Sequence, residues 1–256
     1  MPFRKTHGGT LQQYNISITP KRNKTVMMKR SELSLERLLP HFLMNYNLID
    51  DVSLMHGKMG GVIFLNIYIR KSGLNVYRDY TDLLLDDIYK QISTTTPIDF
   101  ANGLCGIGWG IEYLIKNQFY KGCTDDLLSG IDDVIVQAPP ETLDHTFMTG
   151  IGGLLFYVIS RVKSFKRPFN QTSFNLDYMM KLQEIIKNKY SDIYQDSILT
   201  KDLDDIINQK INYTDSLCIP PFFFNDIPPS CVDNLYSVPI GVYQGLTGWA
   251  LKRILS

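Results

Sequence analysis

A short glycine-centred turn occurs four times in this chain, and each copy runs directly into an apolar segment. The copies read Gly57-Lys58-Met59-Gly60, Gly103-Leu104-Cys105-Gly106, Gly150-Ile151-Gly152-Gly153 and Gly245-Leu246-Thr247-Gly248. Their leading glycines stand 46, 47 and 95 residues apart. A period near 46 marks a repeated structural unit, which constrains the fold before any local propensity does.

Between the turns lies a second recurring element rich in leucine and paired acids, at 82–88, 126–134 and 202–207. In the second copy Leu127, Leu128, Ile131, Val134 and Ile135 recur at three- and four-residue spacing, which predicts an amphipathic helix. The segments after the glycines, 62–69 and 154–162, are apolar nearly all round and predict helices buried on every side. Each unit therefore reads as an outer amphipathic helix, a loop, a glycine turn and an inner buried helix. Glycine lets helix ends approach closely, as inner helices in a ring require, and the N-termini so gathered would suit anions and thiolates. The expected fold is all-α: a single-domain α/α toroid, incomplete, with its glycine turns at one end. A straight solenoid of helix pairs is the alternative.

The 256 residues fit one large domain, and 26 basic residues balance 26 acidic ones, so no net field points to nucleic acid. Seven of those bases precede residue 31, which sets apart a basic N-terminal arm, 1–32, from a toroid domain, 33–256. The chain has no run of eighteen apolar residues and no secretory h-region, so neither a membrane span nor export is expected. Cys105, Cys123, Cys218 and Cys231 then read as free thiols of a cytoplasmic protein.

The last interval is twice the others. Residues 176–190 and 201–211 predict two further helices, followed by a stretch with Pro220-Pro221, Pro228-Pro229 and the run Phe222-Phe223-Phe224. Either one unit has lost its glycine turn, or a helix and a proline-rich loop are inserted at about 170–238. An incomplete ring would leave inner helices with an uncovered face. At roughly 300–400 Å² of apolar surface each, that would cost on the order of 8–10 kcal/mol. The helix at 176–190, the phenylalanine loop or a second protein has to cover it.

Ser53-Leu54-Met55-His56-Gly57, Asp99-Phe100-Ala101-Asn102-Gly103-Leu104-Cys105-Gly106, the segment 150–161 and Tyr243-Gln244-Gly245-Leu246-Thr247-Gly248-Trp249 resemble repeats of the lanthionine synthetase C family. The resemblance covers roughly residues 35–165 and 235–256. It implies a toroid of helical hairpins and a role in modifying a ribosomal peptide. The family's cyclases use zinc to activate a cysteine thiol for addition to a dehydrated residue. Their ligands are a cysteine before a glycine turn and an adjacent Cys-His pair. This chain has no Cys-His dipeptide, and Cys218 and Cys231 precede no such turn, so no zinc set is expected.

Asp99, four residues before Gly103, matches the family's acid–base residue, and His56 precedes its glycine as the family's zinc histidine does. Asp99 also reads as a turn-capping aspartate, and His56 as a turn-stabilising histidine. Cys105 lies near a helix start, where a thiol pKa can fall, and reads equally as a small buried filler. Asp144 and His145 precede the third turn, and Trp109 and Trp249 read as equivalent packing residues of two repeats. Two functional readings stay open. One is a peptide-modifying enzyme of the lanthipeptide cyclase type. The other is a catalytically silent relative that holds a leader peptide or a modifying enzyme, alone or as a homo-oligomer.

Overall fold

The computed structural model of the chain describes residues 34–165, 172–227 and 237–256. The predicted arm at 1–32 and Cys231 lie outside them. Every element among the described residues is helical. The α-helices are α1 (Leu35–Leu48), α2 (Lys58–Ser72), α3 (Arg78–Gln91), α4 (Leu104–Lys116), α5 (Thr124–Leu127), α6 (Ser129–Gln137) and α7 (Ile151–Ser164). They continue with α8 (Leu176–Lys189), α9 (Ser191–Tyr194), α10 (Ile198–Ile207) and α11 (Leu246–Leu255). Among the described residues no helix is long and apolar enough to cross a membrane.

The helices that begin at the glycine turns are the buried ones. Every residue from Lys58 to Ile69 of α2 and from Leu104 to Leu114 of α4 is buried, whereas α3 buries only Thr81, Leu84 and Ile88. Packing runs in the order α11, α2, α4, α7, with α1 and α3 against α2, α6 against α4, and α10 against α7. The expected division into outer and inner helices is therefore present. Two boundaries differ from the sequence reading. The segment 126–134 is split at Leu128 into α5 and α6, which leaves Leu127 exposed while Leu128, Ile131 and Ile135 enter the core. The helix expected at 201–211 begins earlier, at Ile198, where Ser197 caps it by accepting from the Thr200 N–H at 3.1 Å.

Both glycines of each turn have one geometric cause. At Gly57, Gly103, Gly150 and Gly245 a β-carbon would lie closer than 3.0 Å to the backbone carbonyl oxygen six residues earlier. The same holds at Gly60, Gly106, Gly153 and Gly248. The leading glycines have extended backbone, φ between −116° and −128°, so the requirement is close approach of loop to helix.

The phenylalanine run packs against the inner helices. A 3-10 turn at Pro221–Phe223 lies against α11, and Phe223 is fully buried with its ring 5.3 Å from Trp109. Phe222 stands 4.8 Å from Phe147 and 6.1 Å from Phe156. The proline-rich segment thus carries an aromatic plug to the space beside α4, α7 and α11.

Gly106→Ala and Gly153→Ala are expected to destabilise the protein by about 1–3 kcal/mol or more, because backbone has to move. Gly130→Ala in α6, where a β-carbon meets nothing within 4 Å, is expected to be neutral or stabilising by up to about 1 kcal/mol. Urea unfolding of the three variants checks both. Phe223→Ala is expected to cost about 3–5 kcal/mol while light scattering still reports a monomer, since the ring is covered by its own chain.

Candidate functional site

The loops that precede the glycines are joined edge to edge by one repeated hydrogen bond. In three of the four turns the residue two before the leading glycine donates its N–H to the carbonyl of the equivalent residue in a neighbouring turn. Tyr243 donates to Met55 at 3.0 Å, Met55 to Ala101 at 3.1 Å, and Ala101 to Met148 at 2.8 Å. Inside each turn the first helical N–H donates to the carbonyl seven residues back: Lys58 to Asp51, Leu104 to Pro97, Ile151 to Asp144 and Leu246 to Pro239, at 2.7–2.9 Å. All four helix N-termini therefore share one rim, as the repeat predicts. Their leading amides are already bonded to loop carbonyls, and no side chain caps them. The expectation that these ends suit anions is weakened accordingly.

The candidate side chains sit on this rim on adjacent turns. Asp99 Oδ1 accepts the Asn102 backbone N–H at 2.7 Å and the Asn102 side-chain amide at 3.2 Å, so it closes its own turn. The exposed His56 ring stands edge-on to Tyr243 of the fourth turn, with centroids 5.8 Å apart, and makes no hydrogen bond among the described residues. Its backbone N–H donates to Ser53 Oγ at 3.4 Å. Asp144 Oδ1 accepts the N–H and hydroxyl of Thr146 at 2.7 and 2.6 Å, and these bonds hold its carboxyl below the ordinary range. His145 is exposed beside Tyr190. Cys105 is fully buried, and burial, then Asp99 and Asp132, push its thiol pKa well up, so the helix end does not activate it. Trp109 and Trp249 are not equivalent. They stand six and four residues after their glycines; Trp109 is core, while Trp249 is half-buried beneath Arg253.

Among the described residues no three His, Cys, Asp or Glu side chains gather as a metal site, and Cys105, Cys123 and Cys218 are separate free thiols.

The sequence reading missed a buried ionic cluster between α4, α6 and α7. Arg161 is 1% exposed; its Nη1 donates to Glu112 Oε2 at 2.7 Å and its Nη2 to Asp132 Oδ2 at 2.7 Å. Asp125 Oδ1 lies 3.7 Å from the same guanidinium, and the Tyr157 hydroxyl donates to Asp132 Oδ1 at 2.6 Å. The available signal was a lone glutamate and a lone arginine inside two otherwise apolar inner helices. One guanidinium faces three carboxylates. Burial raises the pKa of Glu112 and of Asp132, with Arg161 pulling the other way. No protein-family model, no curated protein and no solved structure matches this chain.

A carboxyl whose folded pKa exceeds its unfolded value contributes stability that is present at low pH and lost as pH rises through the folded pKa. Stability is therefore expected to decline as pH rises above the ordinary carboxylate range, and Glu112→Gln is expected to flatten that decline. Arg161→Leu, which strands buried carboxylates, is expected to cost about 3–5 kcal/mol. Urea unfolding across pH measures all three.

Proposed function

We propose that this chain is a lanthionine synthetase C-like protein that works on a ribosomal peptide by holding it, with the arc of α11, α2, α4 and α7 as part of an α/α toroid. The supporting observation is the rim itself. Three repeats of one backbone hydrogen bond fix four turns side by side and leave His56, Tyr243, Asn102 and His145 exposed along a single edge. Of the groups that would do chemistry there, Asp99 closes its own turn and the Cys105 thiol is buried, which leaves the exposed His56 ring as a contact for the peptide. An edge of imidazole, phenol and carboxamide groups suits recognition of a peptide by hydrogen bonding and ring contact.

The test uses a dehydrated, cysteine-containing lanthipeptide precursor with its leader, followed by fluorescence anisotropy and by mass-spectrometric counting of alkylated thiols. Binding is expected, weakened at least about tenfold by His56→Ala combined with Tyr243→Ala. The thiol count is expected to stay constant. No binding, or binding indifferent to the rim variants, refutes the proposal. Thiol loss that disappears in Asp99→Asn would instead establish the enzyme reading.

A further inference from the structure

The C-terminal end of α4, at the far end from the glycine rim, opens into two adjoining cavities. One has a volume of about 140 Å³ and is walled by Leu85, Ile111, Leu114 and Leu127, with Tyr89 at its edge. The other has a volume of about 570 Å³ and is lined by Lys116, Gln118, Lys121, Thr124 and Asp215. Ile115, Tyr120 and Lys121 belong to both. The smaller is close in size to the roughly 150 Å³ apolar cavity that stays dry and takes benzene, so one leucine or phenylalanine side chain fills it.

The shared wall is held in place before anything binds. Gln118, with φ 59°, closes α4: its N–H reaches the Ile115 carbonyl at 2.9 Å, and the Phe119 N–H reaches that of Leu114 at 2.8 Å. The Tyr120 hydroxyl donates to Asp82 at 2.7 Å, and the Asn117 amide donates to the Leu217 carbonyl at 2.8 Å. Gly122 lines the basin, and a β-carbon there would meet Leu127 Cδ1 of the slot at 2.9 Å.

Charge and exposure select the occupant. The first 32 residues hold seven of the 26 bases and one of the 26 acids, so the remainder of the chain carries a formal charge of −6. Against that background the basin presents two lysines and one aspartate. Lys121 is exposed and makes no hydrogen bond or ion pair among the described residues. At the slot, Leu127 and Tyr89 are 46% and 40% exposed, an apolar edge that none of the described residues covers fully. The open basin has room for the backbone and neighbours that an apolar anchor brings, space that a free small carboxylate would leave empty.

We propose that this cleft binds an acidic peptide segment, with one apolar side chain in the slot and an adjacent carboxylate on Lys121; Lys116, whose Nζ donates to the Ser164 carbonyl, adds its charge from the wall. The site is separate from the rim and does not depend on the reading given for it. The probe is a fluorescein-labelled Glu-Leu-Glu tripeptide, blocked at both ends, titrated into the full-length chain. Lys-Leu-Lys and Glu-Gly-Glu serve as comparisons, with phenylacetate as competitor. Binding is expected, at least about tenfold weaker for either comparison peptide and for Lys121→Glu or Leu127→Asp. Both substitutions are at exposed positions, and circular dichroism checks that the variants remain folded. Lys181→Glu, a charge reversal on α8, is expected to change nothing. Equal binding of the acidic and basic peptides, no binding at millimolar concentration, or indifference to both cleft variants overturns the proposal. Phenylacetate binding as tightly as the tripeptide also overturns it, in favour of a small-carboxylate site.

Discussion

The hydrogen bond that passes from each turn to the next, from the residue two before one leading glycine to its counterpart in the next turn, is the contact on which the rest of the architecture depends. It requires the loops to lie against one another and each loop to fold back over its own helix start. That fold-back brings two carbonyls, three residues apart, to where two β-carbons would stand, so two glycines three residues apart are needed in every unit. Once the loops are stitched, the helices behind them must start together, run alongside one another and bury their shared faces. The apolar character of α2 and α4 along nearly their whole length follows from that position.

The cluster around Arg161 works in the opposite sense. An arginine with three carboxylates in the core contributes little net stability compared with well-packed apolar residues, because each charge has lost its water. What it supplies is geometry. The guanidinium reaches Glu112 on α4 and Asp132 on α6 from its place on α7, so a slipped register of any of the three helices strands a charge. Glu112 lies on the side of α4 that reaches Thr124, and Thr124 borders the cleft at the end of that helix. The ionic core thus adjoins, through Thr124, the cavity that the cap residue Gln118 also lines.

Aromatic packing decides how the glycine-marked helices are completed. Phe100 of the second turn touches Trp109, Phe147, Phe156 and Phe222, so one ring joins a loop, two inner helices and the proline-rich segment. Proline keeps that segment out of helix and lets it cross the space between α11 and α7. The volume it fills is no longer open to a ligand.

The repeat, the all-helical class and the alternation of half-buried and fully buried helices were legible because periodicity and glycine placement are written along the chain. So was the gathering of His56, Asp99 and Asp144 at one end, which follows from equal spacing. The individual roles of these residues were not. Asp99 bonds Asn102 only three residues away, one of the two readings its position allowed, whereas the full burial of Cys105 beside Asp132 is set by how the helices pack. The plug, the Arg161 cluster and the paired cavities have the same origin. Each is made by residues from three or more segments whose meeting has no local signal, so only tertiary packing could bring them together.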